Sequence, residues 1–429
     1  MVQRTCRTND HFTEGLIIVI KKICIIGGGT AGWMAAAYLS KSFKVTIIES
    51  AAIPIIGVGE STLPIVKKFC DDLGLYEKDW MPLVQAEYKF GIRHEGWKKD
   101  CNEPWWHWFL YDRNDDNKML QHIENHTIPP KGSYAYHVDA IRFGAMVMKP
   151  KAIENGAVHI IDTVKDVVLN DQGAIDYLEL ENNGKISADL YVDATGFSKV
   201  LATKVGIEYI PYEHLINDSA IACPQISAPA QNRYTITRTM NYGWMWEIAL
   251  QERRGAGYVY SSKHVSDEKA KEEYLKHYPN SDQDKLRVIK FTPEYAKNPF
   301  YKNVATVGLS CGFIEPLEAN SIWMIAYNVL GLYKCLTENR SFETFNRAFR
   351  KTSFEMYDYI LSHYTLSNLD HTSYWQYYKD LENQIDTRSK VAEKAKMKDV
   401  PLGSTSGIFY PYSWWTKDKY FNECATLYT

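Results

Sequence analysis

Two short apolar runs near the N-terminus flank a glycine-rich turn and a helical segment. Ile23–Ile26 predicts a buried strand, and Lys44–Glu49, rich in β-branched residues, predicts a second one. Between them, Trp33–Leu39 consists mostly of residues that favour a helix. A strand, a turn, a helix and a further strand in this order are typical of a parallel α/β unit.

Later patterns extend this unit and add two regions of different character. One more strand is predicted to end at Val192–Gly196, and Val304–Leu309 predicts another buried strand. Residues 215–262 alternate polar and apolar positions, which indicates an inserted antiparallel sheet. From Ile322 to about Lys396 the pattern is mostly helical.

The turn after the first strand has the spacing Gly27-x-Gly29-x-x-Gly32. In dinucleotide-binding folds the first glycine permits a tight turn, the second lets the backbone approach a pyrophosphate, and the third lets helix and strand pack closely. Glu49 ends the second strand, where an acidic residue accepts hydrogen bonds from ribose hydroxyls. The pattern therefore predicts a dinucleotide at the helix N-terminus, which attracts phosphate.

Two later segments favour FAD over NAD. Val192-Asp-Ala-Thr-Gly196 resembles the second dinucleotide-contacting strand of glutathione-reductase-type FAD folds, and Val304–Leu309 resembles a strand before the loops that hold the flavin in FAD monooxygenases. We therefore expect an α/β (α+β) fold: a Rossmann-like FAD-binding domain of glutathione-reductase or flavin-monooxygenase type, an inserted antiparallel sheet, and a mostly helical C-terminal region.

The expected domain boundaries follow these patterns. An N-terminal extension is predicted over residues 1–22, and the FAD-binding domain over residues 23–330, with the sheet inserted at about 212–265. The helical region, expected to lie on the substrate side, is predicted over residues 331–429.

Composition excludes several other classes of protein. The net charge is −3 and no basic block is present, so nucleic acid is not an expected partner. No apolar run is long enough to cross a membrane, and the N-terminus does not resemble a signal peptide. The 8 cysteines lack zinc-site spacing. We expect a cytoplasmic protein without a metal, for which a homo-oligomer is possible.

Four stretches together resemble the flavin-dependent tryptophan halogenases. They are Gly27-Gly-Gly-Thr-Ala-Gly-Trp-Met-Ala35, the segment from Glu49 to Pro64, Gly243-Trp-Met-Trp-Glu-Ile248, and Gly308-Leu-Ser-Cys-Gly-Phe-Ile-Glu-Pro-Leu-Glu318. The resemblance covers roughly residues 22 to 380 in the correct order. The two-tryptophan motif separates this family from ordinary flavin monooxygenases.

The resemblance implies a halogenase that uses reduced FAD, O2 and a halide ion. A separate flavin reductase supplies the reduced FAD, and the halide is oxidised beside the flavin to hypohalous acid. This acid passes through an internal tunnel to a lysine beside a small aromatic substrate, where the ring is halogenated.

By this resemblance, Lys89 is the lysine that carries the halogen and Glu318 is the catalytic acid. Trp244 and Trp246 line the tunnel. Taken alone, Lys89 would be a solvated lysine, Glu318 an acid that complements a helix dipole, and the tryptophans two same-facing core residues of one strand. The FAD contacts are Gly28, Gly29, Thr30, Ala31, Ser50, Ile53, Glu60, Val164, Leu309 and Ile322, beside the fingerprint residues Gly27, Gly32 and Glu49.

The sequence departs from the family at the halide site. Many chlorinating members have Ser-Thr-Gly after the catalytic glutamate, whereas here Ala319-Asn320-Ser321 follows. Because the glycine is absent, the backbone near Asn320 and Ser321 is expected to approach the halide less closely. Bromide or iodide is therefore predicted to be preferred over chloride.

The substrate region also departs from the family. Trp105-Trp-His-Trp108 and the tail Phe409–Trp415 are aromatic, but they do not reproduce the residues that grip free tryptophan. We expect a more open site for small indoles or phenols. A flavin-dependent aromatic hydroxylase and a non-catalytic flavin-binding protein remain the alternatives.

Overall fold

The computed structural model describes residues 20–53, 59–109, 118–130, 132–225, 232–396 and 411–423. Most of the predicted N-terminal extension and part of the aromatic tail lie outside these ranges. Within them, no helix is long and apolar enough to span a bilayer.

The strands are, in chain order, β1 (Lys22–Ile26), β2 (Lys44–Glu49), β3 (Gly59–Ser61), β4 (Glu87–Lys89), β5 (Gly91–Glu95), β6 (Trp105–Trp108), β7 (Ala135–Asp139), β8 (Val158–Ile161), β9 (Val164–Leu169), β10 (Ile175–Leu180), β11 (Gly184–Ile186), β12 (Leu190–Asp193), β13 (Tyr209–Pro211), β14 (Ser219–Gln225), β15 (Tyr234–Met240), β16 (Gly243–Ala249), β17 (Arg254–Tyr260), β18 (Arg287–Lys290), β19 (Glu294–Ala296), β20 (Phe300–Tyr301), β21 (Val304–Thr306) and β22 (Gly312–Phe313).

The α-helices are α1 (Thr30–Leu39), α2 (Ile65–Asp72), α3 (Glu77–Trp80), α4 (Lys118–Glu124), α5 (Ala140–Arg142), α6 (Lys149–Glu154), α7 (Val200–Val205), α8 (Asp267–His277), α9 (Asn320–Thr337), α10 (Phe342–Thr365), α11 (Ser373–Ile385), α12 (Thr387–Ala395) and α13 (Pro411–Asp418). Two π-helical segments, Phe143–Met148 and Lys419–Glu423, follow α5 and α13.

A six-stranded sheet in the order β20-β21-β12-β1-β2-β8 carries the dinucleotide fold. β1 pairs in parallel with β2 and β12, while β20 joins β21 antiparallel at one edge. Strands β1, β12 and β21 are almost wholly buried, as the continuous apolar runs predict for a parallel sheet covered on both faces. The expected α/β fold is confirmed.

A second sheet has seven strands in the order β18-β14-β17-β16-β15-β5-β6. β14 to β17 lie in the region of the predicted insertion. The sheet has more strands than the alternating pattern predicted. β5 and β6, which precede the insertion in the chain, and β18, which follows it, also belong to this sheet. β5 pairs in parallel with β15, an adjacency between segments far apart in the chain that alternation alone does not reveal.

The region after residue 320 is mostly helical, in agreement with its apolar periodicity. α9 begins directly after the Glu-Pro-Leu-Glu segment, and the 24-residue α10 packs against α9, α11 and α12. The small sheet β3-β7-β4 places β4, which ends in Lys89, beside the large antiparallel sheet. The fold thus brings residues from both sheets and from α10 to one region.

Candidate active site

A cavity of about 430 Å³ opens at the carboxyl ends of the parallel strands, where α1 begins. Ligands of open α/β sheets bind at this edge. The cavity is lined by most of the residues predicted to contact FAD: Gly27, Gly28, Gly29, Thr30, Ala31, Glu49, Ser50, Ile53, Val164 and Leu309. It is also lined by Ser321, predicted for the halide site, and by Trp244 and Trp246, predicted for the tunnel.

Other predicted residues do not line this cavity. Gly32 is buried within α1, and Ile322 and Asn320 are buried in the first turn of α9. Glu60 lies in β3, and its side chain is outside what the structure describes. Lys89 and Glu318 do not line the cavity either.

The glycines of the turn are required by close backbone approach. Gly27 has φ 111°, and a Cβ there would lie 2.3 Å from the carbonyl oxygen of Ala194. A Cβ on Gly32 would lie 1.8 Å from the carbonyl oxygen of Gly27. A larger residue at either position would therefore displace the turn from the strands.

The residues around this turn fit the phosphate and ribose of a dinucleotide. α1 starts after Gly29 with no side-chain cap, so its first N–H groups are available to phosphate. A Cβ on Gly29 would meet no protein atom within 4 Å, which leaves open space above the backbone. Glu49 lies at the cavity edge, and its Oε2 is 2.8 Å from His159 Nε2.

The far wall of the cavity is formed by the antiparallel sheet. Trp244 and Trp246 alternate along β16 on the same face, with ring centroids 6.2 Å apart. Trp246 packs directly over Gly257 of β17, where a Cβ would lie 2.0 Å from the indole. Thr235 and Thr237 of β15 complete this wall, and sequence reasoning did not identify them.

Lys89 is completely buried. Its Nζ donates to the carbonyl oxygen of Thr62 at 3.0 Å and lies 4.8 Å from the centroid of the Phe109 ring. Burial lowers the pKa of Lys89 to about 7, although the charge of Glu318 acts in the opposite direction. The amine is therefore available in both protonation states near neutral pH.

Glu318 is also completely buried, and three histidines surround its carboxylate. His107 Nδ1 lies 2.8 Å from Oε2, in hydrogen-bond geometry. His363 Nε2 and His94 Nε2 lie 2.8 and 3.4 Å from Oε1, but neither is aligned for a hydrogen bond. Burial opposes ionisation, yet His107 and the other two rings more than offset it and hold the pKa of Glu318 well below its usual range.

The segment before Glu318 is held by a separate buried network. Glu315 accepts hydrogen bonds from Asn217 Nδ2 at 3.0 Å and from the hydroxyl of Tyr364. Burial raises the pKa of Glu315 to about 7. These contacts fix the turn that directs the Glu318 side chain toward the histidines.

Two polar residues of the C-terminal segment complete the surroundings of Glu318. Ser413 Oγ lies 2.9 Å from His107 Nε2. Lys417 is fully buried, and its Nζ lies 2.6 Å from the carbonyl oxygen of Tyr359 and 2.7 Å from His363 Nδ1. Burial lowers the pKa of Lys417 well below its usual range.

The predicted open substrate site stays a prediction. In the described part of the chain, α13 packs against β6, Trp414 contacts Tyr359 of α10, and the side chains of Lys89 and Glu318 are buried. His94, His363, Ser413 and Lys417 were not identified from the sequence, because nothing in their local patterns indicates that distant segments meet. The only available signal was the alternation in Trp105-Trp-His-Trp108, which places His107 on the buried face of β6.

A protein-family model described as tryptophan halogenase matches residues 22–122 and 110–417. The chain is 29% identical to the 7-chloro-L-tryptophan 6-halogenase KtzR of Kutzneria sp. (strain 744), with 90% of this chain and 86% of that protein covered. It is 28% identical to the tryptophan 7-halogenase RebH of Lentzea aerocolonigenes, with 95% and 89% covered.

Solved structures agree with these similarities. The tryptophan 6-halogenase SttH of Streptomyces toxytricini superposes with a TM-score of 0.81 at 26% identity, covering 94% of this chain and 90% of that chain. Xcc4156, a flavin-dependent halogenase from Xanthomonas campestris, gives a TM-score of 0.84 at 26% identity, with 94% and 89% covered.

Substitution of Gly32 in α1 and of Gly29, which precedes α1, should separate folding from cofactor binding. Gly32→Ala should lower the melting temperature of the FAD-free protein, because its Cβ would collide with the Gly27 carbonyl. Gly29→Ala should leave that temperature unchanged and weaken FAD about tenfold, since its methyl group enters only ligand space. Calorimetry and flavin-fluorescence titration test this. Equal FAD affinity of Gly29→Ala and wild type would contradict the proposed phosphate position.

Lys89→Met should raise the melting temperature, because a buried amine is costly when charged. Lys89 has a pKa of about 7 in the folded protein against the usual 10.5, so the unfolded chain binds more protons between these values. The gain should be largest at and below pH 7 and should shrink as pH rises toward 10.5.

Differential scanning calorimetry at about pH 6.5 and about pH 9 measures this trend. The first pH lies below the pKa of Lys89 in the folded protein, and the second lies between the folded and unfolded values. Lys44→Met, at an exposed lysine of β2, is the matched control and should show no such pH-dependent gain. A gain for Lys89→Met that is identical at both pH values would show that desolvation of the amine is not its source.

Proposed function

Because the chain belongs to the tryptophan halogenase family and is a flavin-dependent halogenase, we propose that it binds FAD in the 430 Å³ cavity and delivers hypohalous acid through Lys89 to an electron-rich aromatic ring. The observation that carries the proposal is the complete burial of Lys89 and Glu318, whose charges interact, next to residues of the cavity. Lys89 donates to Thr62, which follows the lining residue Ser61, and Glu318 stands between the lining residues Leu317 and Ala319.

FAD fits the residues of the cavity. The uncapped start of α1 would hold the pyrophosphate, and Glu49 would accept from the ribose. Reduced FAD would supply the oxygen activation that converts a halide into hypohalous acid. The reduced cofactor would come from a separate flavin reductase, which we propose as a transient partner.

The halide is proposed to lie at the start of α9. Ser321 lines the cavity, and among the described residues the buried Nδ2 of Asn320 has no hydrogen-bond partner. A buried N–H donor without a protein partner is costly, and a halide ion would satisfy it. The positive end of the helix dipole adds to this attraction.

Lys89 is placed to receive hypohalous acid after it crosses the wall. Thr62, whose carbonyl accepts from Lys89, follows Ser61 of the cavity wall, so the amine lies close behind it. As an ammonium, Lys89 would hydrogen-bond the acid and polarise its O–X bond. As an amine, it would displace hydroxide and carry the halogen on nitrogen. Its lowered pKa keeps both forms available.

Glu318 is proposed as the base of the substitution step. The ring carbon forms a bond to the halogen as the O–X bond breaks, and the ring proton combines with the hydroxide as water. His107 and the neighbouring rings keep the carboxylate ionised, so it can accept that proton in transit.

The substrate is proposed to be a small indole or phenol rather than free tryptophan. The aromatic wall near Glu318 includes Trp105, which stacks on His94 with centroids 4.4 Å apart, and Tyr359. Such surfaces accept a flat ring. A ring reaches Lys89 only if neighbouring residues rearrange, because this side chain is completely buried in the described structure.

Halide-dependent halogenation should require Lys89. Purified protein would be incubated with FAD, a flavin reductase, NADH, O2, one halide, and a panel of indoles, phenols and tryptophan, and the products measured by mass spectrometry with a scavenger of free hypohalous acid. Lys89→Ala should abolish product, Lys44→Met should retain it, and Glu318→Gln should lower the rate roughly 100-fold or more.

Three other outcomes of that assay have distinct meanings. Hydroxylated product without halide dependence would identify an aromatic hydroxylase. FAD binding without any product would support a non-catalytic flavin protein. Halogenation that survives in Lys89→Ala but disappears with the scavenger would show that free hypohalous acid, and not Lys89, delivers the halogen.

Competition between halides tests the site at α9. With equal concentrations of chloride and bromide, the brominated product should dominate, because Ser321 stands where chlorinating relatives have glycine. Ser321→Gly should increase the chlorinated fraction. Predominant chlorination by the wild-type protein would exclude the proposed halide preference.

A further inference from the structure

Three histidines surround Glu318, and the proposed halogenation reaction does not require all of them. The cluster consists of His94, His107, His363 and Glu318, which come from β5, β6, α10 and the turn before α9. All four side chains are buried. Four elements therefore present nitrogen and oxygen donors to one point.

The inner atoms of the cluster have the spacing of metal ligands. His363 Nε2 and His94 Nε2 lie 2.8 and 3.4 Å from Glu318 Oε1, and His107 Nδ1 lies 2.8 Å from Oε2. One donor atom each from His94, His107 and Glu318 lie within 4.8 Å of one another. Ligands of a tetrahedral zinc ion are about 3.3 Å apart, given bonds of about 2.0–2.1 Å.

Three of these inner atoms are buried without an aligned hydrogen bond. Within the described ranges, no aligned hydrogen bond reaches His94 Nε2, His363 Nε2 or Glu318 Oε1, although both nitrogens form ion-pair contacts with that oxygen. A polar atom without an aligned hydrogen bond is uncommon in a protein interior. A cation bound through their lone pairs would satisfy all three.

The outer nitrogens are held as metal-binding histidines usually are. His363 Nδ1 lies 2.9 Å from the carbonyl oxygen of Tyr359 and 2.7 Å from Lys417 Nζ, and Nε2 keeps its lone pair when Nδ1 donates to that carbonyl. His94 Nδ1 lies 2.8 Å from Thr237 Oγ1, and His107 Nε2 lies 2.9 Å from Ser413 Oγ. These contacts orient all three rings toward Glu318.

We propose that the cluster binds one divalent transition-metal ion of the Zn²⁺ class. Imidazole and carboxylate donors suit Zn²⁺, Co²⁺ and Ni²⁺, and the carboxylate supplies a compensating negative charge. Because the ion engages Glu318, its binding competes with the role proposed for that residue in halogenation. This inhibitory consequence rests on the proposed function, whereas metal binding itself does not.

The nearby lysines oppose a second cation and provide a specific test. Lys417 Nζ lies 2.7 Å from His363 Nδ1, and the charge of Lys89 also interacts with Glu318. Because the ammonium form of Lys417 would repel a bound cation, Lys417→Met, which removes that form, should strengthen metal binding. Loss of a merely structural contact would have no reason to do so.

Cobalt titration of the full chain, freed of metal by a chelator, tests the site directly. One equivalent of Co²⁺ should produce the visible ligand-field absorption of a four-coordinate ion. His94→Ala and His363→Ala should each weaken binding at least about tenfold. His277→Ala, at an exposed histidine at the end of α8, is the control and should bind as wild type does.

Diffraction from crystals grown with Zn²⁺ gives a second measurement in case a histidine variant fails to fold. Anomalous density between the four side chains would support the proposal. Density only elsewhere, or cobalt binding unchanged in both cluster variants, would overturn it. Zn²⁺ should also inhibit halogenation reversibly, with recovery on chelation, and the spectroscopic readout remains valid if the protein shows no halogenase activity.

Discussion

Dehydration of the Glu318 carboxylate is the constraint on which the arrangement of the site depends. An unpaired carboxylate in a dry interior would take up a proton, because burial penalises the charged form. Here the hydrogen bond from His107 and the rings of His94 and His363 keep the pKa of Glu318 low instead. These rings must come from β5, β6 and α10, so the packing of the second sheet against the C-terminal helices is inseparable from the state of this one side chain.

The same dry interior lowers the pKa of Lys89 to about 7, so at neutral pH a partly neutral lysine lies near an ionised carboxylate. Trp244 and Trp246 line the cavity, whereas Lys89 and Glu318 do not. This arrangement suits a reaction in which the oxidant is made in one compartment and consumed in the next.

Local sequence patterns predicted those parts of the fold that depend on contacts between residues close together in the chain. The β1–α1–β2 unit was predictable because its glycines satisfy steric requirements only a few residues apart, as Gly27 and Gly32 show. Lys89 and Glu318 were identified only through resemblance to a family, and their surroundings were not predictable at all. His363 lies on a helix more than forty residues after Glu318, and Lys417 lies later still. Tertiary packing brings both residues close to Glu318, and the strand and helix periodicities of 2 and 3.6 residues carry no information about such distant contacts.

The turn at Ala319 shows how one backbone conformation joins the two compartments. Ala319 has φ 56°, a left-handed conformation that costs a non-glycine residue about 1 kcal/mol or more. The reversal directs Glu318 into the histidine cluster while Ser321, two residues after Ala319, lines the cofactor cavity. The hydrogen bonds that Glu315 accepts from Asn217 and Tyr364 hold the preceding segment in register, so the surrounding structure keeps Ala319 in this strained conformation.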